Sequence, residues 1–121
     1  MIAAAILLAA SAVPQSLLNE ADAAGLAQTQ CLFATFRAAN QAHLSASEFD
    51  SRLRSSCSAQ SRQLSRLTAR IFMVRGESNP SAKAEGLIED SYRRMVEEYR
   101  RFPEKEKLMQ DVCKADPTGC R

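Results

Sequence analysis

Tryptophan is absent from this 121-residue chain, histidine occurs once, and glycine, proline and cysteine occur four times each. One histidine, with cysteines that lack C-x-x-C spacing, makes neither an H-E-x-x-H pair nor a persuasive zinc ligand set. The scattered glycines form no phosphate-cradling loop, and no Walker or calcium-loop pattern is present. No metal or cofactor is therefore expected. Without Trp, and without Phe or Tyr between Arg62 and Arg70, the chain also lacks the stacking platforms of nucleic-acid binders. A net charge of +2 adds only a weak whole-protein field. Nucleic acid is not expected as a partner.

The residues present, 45% hydrophobic and 25% charged, suit one domain, and the length is too short for two cores. Met1 to Val13 carries no charge, and Ala10-Ser11-Ala12 has the small-x-small pattern that a signal peptidase cuts after. Residues 1–12 accordingly read as a secretory signal, and residues 13–121 as a single helical domain. The segment is short and has no basic n-region, so either the true start lies upstream or the export signal is weak. Ala21-Asp22-Ala23 is a fallback cleavage site. The alternative, an apolar anchor or a buried helix, is weakened because about a dozen residues are too few to cross a bilayer.

Cysteine usage points to the same compartment. An even number in a small chain implies disulfides and a periplasmic or secreted location; four reduced thiols in a cytosolic protein are the alternative. Cys31 lies thirteen residues before Leu44 and Cys57 thirteen after, so a hairpin folded there brings the two sulfurs level. That leaves Cys113 and Cys120, separated by Asp116-Pro117-Thr118-Gly119, an order favoured in a chain-reversing type I turn. On the chain-entropy argument the first bridge contributes about 3.5 kcal/mol and the second about 2 kcal/mol.

The hairpin corner has its own signature. Ser45 and Glu48 form a capping box, and Leu44 and Phe49 occupy the two positions of a hydrophobic staple. The first helix, ending near His43, is trusted only from Leu26, because Gly25 costs about 1 kcal/mol relative to Ala. Its inner face should hold Cys31, Leu32, Thr35, Ala38, Ala39 and Ala42, with Phe33 and Phe36 on the flanks. A second helix spans about Ala46 to Arg75, with a seam of Leu53, Cys57, Gln60, Leu64, Leu67, Ile71 and Val74 stepping by four and three. Gly76 then caps it, and Asn79-Pro80 opens a third helix running to Phe102. Ile88, Tyr92, Met95, Tyr99 and Phe102 form its core stripe. Pro103 should end or kink this helix before a short fourth one that places Leu108, Met109 and Val112 on the core. The expected fold is an all-α, up-down antiparallel bundle of three main helices plus a short C-terminal helix, stapled by disulfides.

Chemistry is sparse. His43, near the end of the first helix, is the one candidate catalytic group, and no Ser or Cys motif marks a partner for it. The acids Glu89, Asp90 and Glu97 each precede an arginine by four residues, the pattern of a salt-bridged surface. What stands out is the ridge Arg62, Arg66 and Arg70, one turn apart, with Arg54 and Arg75 beyond it. Arginine forks suit carboxylates and phosphates. The competing reading is internal neutralisation by Glu85, Glu89 and Asp90 on the neighbouring helix. The expected function is a non-enzymatic protein-binding module with an envelope protein as partner. The alternative is a binder of anionic lipid or glycan through Arg54, Arg62, Arg66 and Arg70, and the long apolar seam also permits a homodimer.

Overall fold

At the corner, Ser45 Oγ accepts the Glu48 backbone N–H at 3.1 Å, which satisfies a donor that the first helical turn leaves free. The second half of the box differs from the expected form. The Ser45 hydroxyl donates to Glu48 Oε1 at 3.0 Å, so the glutamate steadies the cap itself. Leu44 and Phe49 both pack into the core beneath this turn.

The structure, a computed structural model, describes residues 12–120. Of the segment read as a signal, residues 1–11 lie outside the described residues. Four helices pack against one another: α1 Gln15–Gln41, α2 Ala46–Ser56, α3 Ser58–Val74 and α4 Pro80–Ala115, followed by a 3₁₀ turn at Pro117–Cys120. Cys31 pairs with Cys57 and Cys113 with Cys120, their Cα atoms 5.8 Å and 5.7 Å apart. Both pairings are those expected from the spacing. No described helix is long and apolar enough to cross a membrane.

Three boundaries depart from expectation. First, α1 runs unbroken through Gly25. Leu17 and Ala24 are buried with Leu67 in a satellite core, supported by Ala21, Leu64, Ile71 and Val74, and this packing outweighs the intrinsic cost of one glycine. Cleavage after Ala23 would remove Leu17 from that cluster. Second, the expected long helix is divided at Cys57, which ends α2 and precedes α3. Its backbone (φ −105°, ψ 12°) is not helical. A disulfide draws two backbones closer than the 8–10 Å usual between helix axes. The flanking serines assist the break: Ser55 Oγ donates to the Arg52 carbonyl and Ser58 Oγ to the Ser55 carbonyl.

Third, Pro103 neither ends α4 nor opens a separate helix. Proline withholds the N–H that the Tyr99 carbonyl would accept, yet Glu104 to Gln110 are nearly all strong helix formers that carry the helix on. Across the same turn the Lys105 ammonium binds the Glu98 carboxylate, and this hydrogen bond holds Glu98 below the ordinary carboxylate range. Nothing from Pro103 to Cys120 is buried, and Leu108, Met109 and Val112 are exposed rather than on the core.

The main core gathers at the corner end. Phe36 meets the rings of Phe49, Tyr99 and Phe102 edge-on at 5.3–5.7 Å, and Phe49 stacks on Tyr99 at 4.3 Å. Phe36 is therefore central, whereas Phe33, the other residue assigned to the flanks, is exposed, as are Ala38 and Ala42, which were assigned to the inner face. The Tyr99 hydroxyl donates to the Leu44 carbonyl at 2.5 Å, with the Ala39 carbonyl 3.2 Å away. Burial raises the Tyr99 phenol above its ordinary value, and the Glu48 charge adds to the effect. At mid-height a buried polar network joins three helices. Gln28 Nε2 donates to Ser61 Oγ (3.3 Å) and Ser91 Oγ (3.2 Å), while Ser61 Oγ lies 2.5 Å from Tyr92 Oη.

Both interhelix turns use one device. At the end of α3, Gly76 at φ +74° lets its own N–H and that of Glu77 bond the Met73 and Phe72 carbonyls. At the end of α1 the same two bonds form from His43 and Leu44 to Asn40 and Ala39. His43 thus stands just past the helix, at φ +54°, in a position that favours glycine. It is not in the last helical turn, as the spacing suggested. Asn79 also takes a left-handed backbone before Pro80, and its side chain makes no capping bond.

Candidate functional site

The four arginines named as anion- or partner-binding residues do not share one environment. Arg54 closes a fork on Glu89, with Nη1 and Nη2 each 2.7 Å from a carboxylate oxygen, and Nε donates to Asp50 at 3.0 Å. Its guanidinium also lies 5.0 Å from the Tyr92 ring centroid, in cation–π range. The hydrogen bonds to Glu89 raise Arg54 above its ordinary value, burial opposes them, and Asp50 adds to the rise. The same fork holds Glu89 below the ordinary carboxylate range, again against burial. Arg54 is a structural cation that ties α2 to α4.

Because Glu89 is engaged there, it neutralises none of the others. Asp90 is paired as well, with Arg93, and Glu97 holds Arg100 and Arg101. The expected Asp90–Arg94 and Glu89–Arg93 pairs are replaced, and only Glu97–Arg101 forms as the spacing implied. Arg62, Arg66 and Arg70 are exposed and have no ion pair among the described residues. Arg66 donates to Gln63 at 3.2 Å, and Arg62 makes a long bond to the Ser58 carbonyl at 3.4 Å. The internal neutralisation weighed from the sequence does not form among the described residues: Glu89 and Asp90 are paired elsewhere, and Glu85, which lines the groove with Arg66, makes no ion pair.

Arg62 and Arg66 border a groove of about 410 Å³ between α3 and α4. Ser58, Ser61 and Ser65 line one wall and Glu85, Ile88 and Tyr92 the other, with Arg62 and Arg66 along it and Arg54 at one end. A second trough of about 370 Å³ shares Ser65, Arg66 and Glu85, and continues past Ala69, Arg70 and Ser81 to Met73. The result is a long, shallow channel with an apolar wall, hydroxyls and three guanidinium groups that have no ion pair among the described residues. Guanidinium forks beside hydroxyls and an apolar wall are chemically suited to carboxylates or phosphates carried on a partly apolar group. No group of three His, Cys, Asp or Glu suited to a metal occurs among the described residues.

Arg62, Arg66 and Arg70, grouped from the sequence by their one-turn spacing, are exposed along α3, and Arg54, named with them, is engaged by Glu89 and Asp50. Sequence reasoning missed the serines, although Ser58, Ser61 and Ser65 at i, i+3 and i+7 were readable as a hydroxyl stripe beside the apolar seam. Tyr92 and Ile88 were assigned to the core stripe, which they do join while also facing the groove. The four cysteines serve the fold and lie outside this channel. Exposed His43, at the opposite end of α1 from the α3 terminus, is not among the lining residues.

The Arg54–Glu89 fork makes a prediction about pH. Glu89 titrates lower in the folded than in the unfolded chain, where its ordinary value is 4.5. The fork therefore contributes stability that is fully present above about that pH and is lost as pH falls through the folded value. Both side chains are more than a third exposed, so screening keeps the contribution modest. In urea titrations Glu89→Gln should be less stable than wild type at pH 7, and the gap should narrow below pH 4.5. A gap that stays constant with pH would contradict the assignment.

Comparison with protein-family models, with curated proteins and with solved structures found no match to the chain, and the chemistry of the groove carries the functional reading.

Proposed function

We propose that the protein is a small, exported, non-enzymatic binding module whose α3–α4 channel takes an acidic segment of an envelope protein. The observation that carries this reading is the set Arg62, Arg66 and Arg70, exposed and without a carboxylate partner among the described residues. The scaffold is read as an up-down antiparallel bundle. Supporting this, partners along α1 run backwards as those on the following segments run forwards: Cys31 with Cys57, Gln28 with Ser61, Gly25 beside Leu64. Two disulfides suit an oxidising periplasmic or extracellular space. Export is tested by mass: the envelope form should lack residues 1–12 and accept alkylating label only after reduction.

Binding is tested with Arg62→Glu/Arg66→Glu. Partner capture from envelope extracts at low salt should fall at least tenfold in this variant and fall likewise in wild type at high salt. Capture indifferent to both changes would remove the groove from the function. The same arginines support a second reading, an anionic lipid or glycan as ligand, which purified vesicles or glycan in place of extract would reveal. Activity surviving in His43→Ala would dispose of the one catalytic assignment the chain offers.

A further inference from the structure

The channel between α3 and α4 has side chains to offer but little backbone. Both walls are helices whose N–H and C=O groups pair internally. An extended segment laid between them would bury its own backbone groups without partners, since strand addition needs a free sheet edge. Of the serine hydroxyls along the channel only Ser65 and Ser81 make no hydrogen bond among the described residues, too few for the backbone of a whole segment. Ser58 Oγ is committed to the Ser55 carbonyl, and Ser61 Oγ to Tyr92 and Gln28. A helix, by contrast, arrives with its backbone already satisfied.

Charge spacing points the same way. Arg62, Arg66 and Arg70 are four residues apart on one helix, so they repeat about every 6 Å along its axis. Acids at i, i+4 and i+8 of a second helix repeat at the same interval. Resting on the protein-binding reading above, we propose that the occupant is an amphipathic helix of a partner protein with Asp or Glu at one-turn spacing. It lies along the channel with its acids against Arg62, Arg66 and Arg70 and an apolar side chain over Ile88 and Tyr92. Glu85 sets the rotation of that helix. It borders both troughs on the α4 wall, has no ion pair among the described residues, and repels an acid that faces that wall instead of the arginines of α3.

The test uses the full chain and two synthetic alanine-based helical peptides of identical composition. One carries three Glu at i, i+4 and i+8 with Leu on the adjacent face; the other carries the same residues redistributed around the helix. In calorimetric titrations at 50 mM NaCl the first should bind at least tenfold more tightly. That preference should vanish in Arg62→Glu/Arg66→Glu, and Glu85→Gln should tighten binding of the redistributed peptide severalfold, with circular dichroism confirming that each variant folds. Equal binding of both peptides, lost in the double variant, would overturn helix recognition while leaving an acidic protein ligand in place. Binding indifferent to the double variant would overturn both readings. If neither peptide binds, the helix proposal falls, and arginine-dependent binding to vesicles containing anionic lipid would then transfer the groove to a membrane surface.

Discussion

Phe49→Ala should cost about 3–5 kcal/mol of folding stability, the range for removing a fully buried ring. Phe49 has 0% exposure, stacks on Tyr99 at 4.3 Å and receives the edge of Phe36 at 5.7 Å. Its loss empties the space where α1, α2 and α4 meet and strips the staple from the corner that starts α2. The neighbouring Leu53, also at 0% exposure, cannot fill a void shaped for a ring. In a domain of this size each kcal/mol moves the melting temperature by roughly 4 °C or more, so a fall of about 15 °C is expected. Phe33→Ala is the control. That ring is 53% exposed, and its removal should stay within about 0.5 kcal/mol of wild type. If the two variants melted together, the aromatic cluster would not be the main core.

Removing the Cys31–Cys57 bridge as Cys31→Ala/Cys57→Ala should cost about 3.5 kcal/mol from the loop-closure entropy of its 26-residue separation, within a usual range of about 2–5. The bridge joins α1 to the junction of α2 and α3, and Cys57 has 0% exposure, so unfolding of the core releases the whole crosslinked loop. Cys113→Ala/Cys120→Ala should behave differently, although on loop length alone it too would be worth about 2 kcal/mol. That bridge closes a segment with no buried residue, so its constraint stabilises only the end of α4 and the 3₁₀ turn. The core melting transition should stay within about 0.5 kcal/mol of wild type, while amides after Pro103 exchange faster. Equal losses of core stability in the two double variants would show that the C-terminal segment folds together with the bundle.

The contrast between the bridges also explains where sequence pattern was informative. The pairing of Cys31 with Cys57 follows from equal spacing about Leu44, and the capping box at Ser45 and the left-handed cap at Gly76 follow from local chemistry. Such features are decided within a few residues, where hydrogen-bond geometry leaves few options. Pro103 and Gly25 carry local signals as well, but weaker ones. A cost of about 1 to 3 kcal/mol was outweighed at Gly25 by packing of Leu17 and Ala24, and at Pro103 by the helix formers that follow it.

The groove was half legible. That Arg62, Arg66 and Arg70 share a face is a matter of helical period. Whether they are free is not, because it depends on which acid of α4 lies opposite. Arg54 of α2 takes Glu89, Arg93 takes Asp90, and Glu85, which lines the groove with Arg66, makes no ion pair among the described residues.

By itself, then, the sequence determined that this chain is helical, where its corner and the caps at Ser45 and Gly76 fall, and how its cysteines pair, because each depends on periodicity, spacing or a few neighbouring residues. Only the tertiary structure decided that the long second helix divides at Cys57, that Phe36 and not Phe33 is central, and that three arginines are exposed without an ion pair among the described residues while a fourth is bound. Those outcomes depend on the rotation and register of whole helices against each other, set by the summed packing of side chains far apart in the chain.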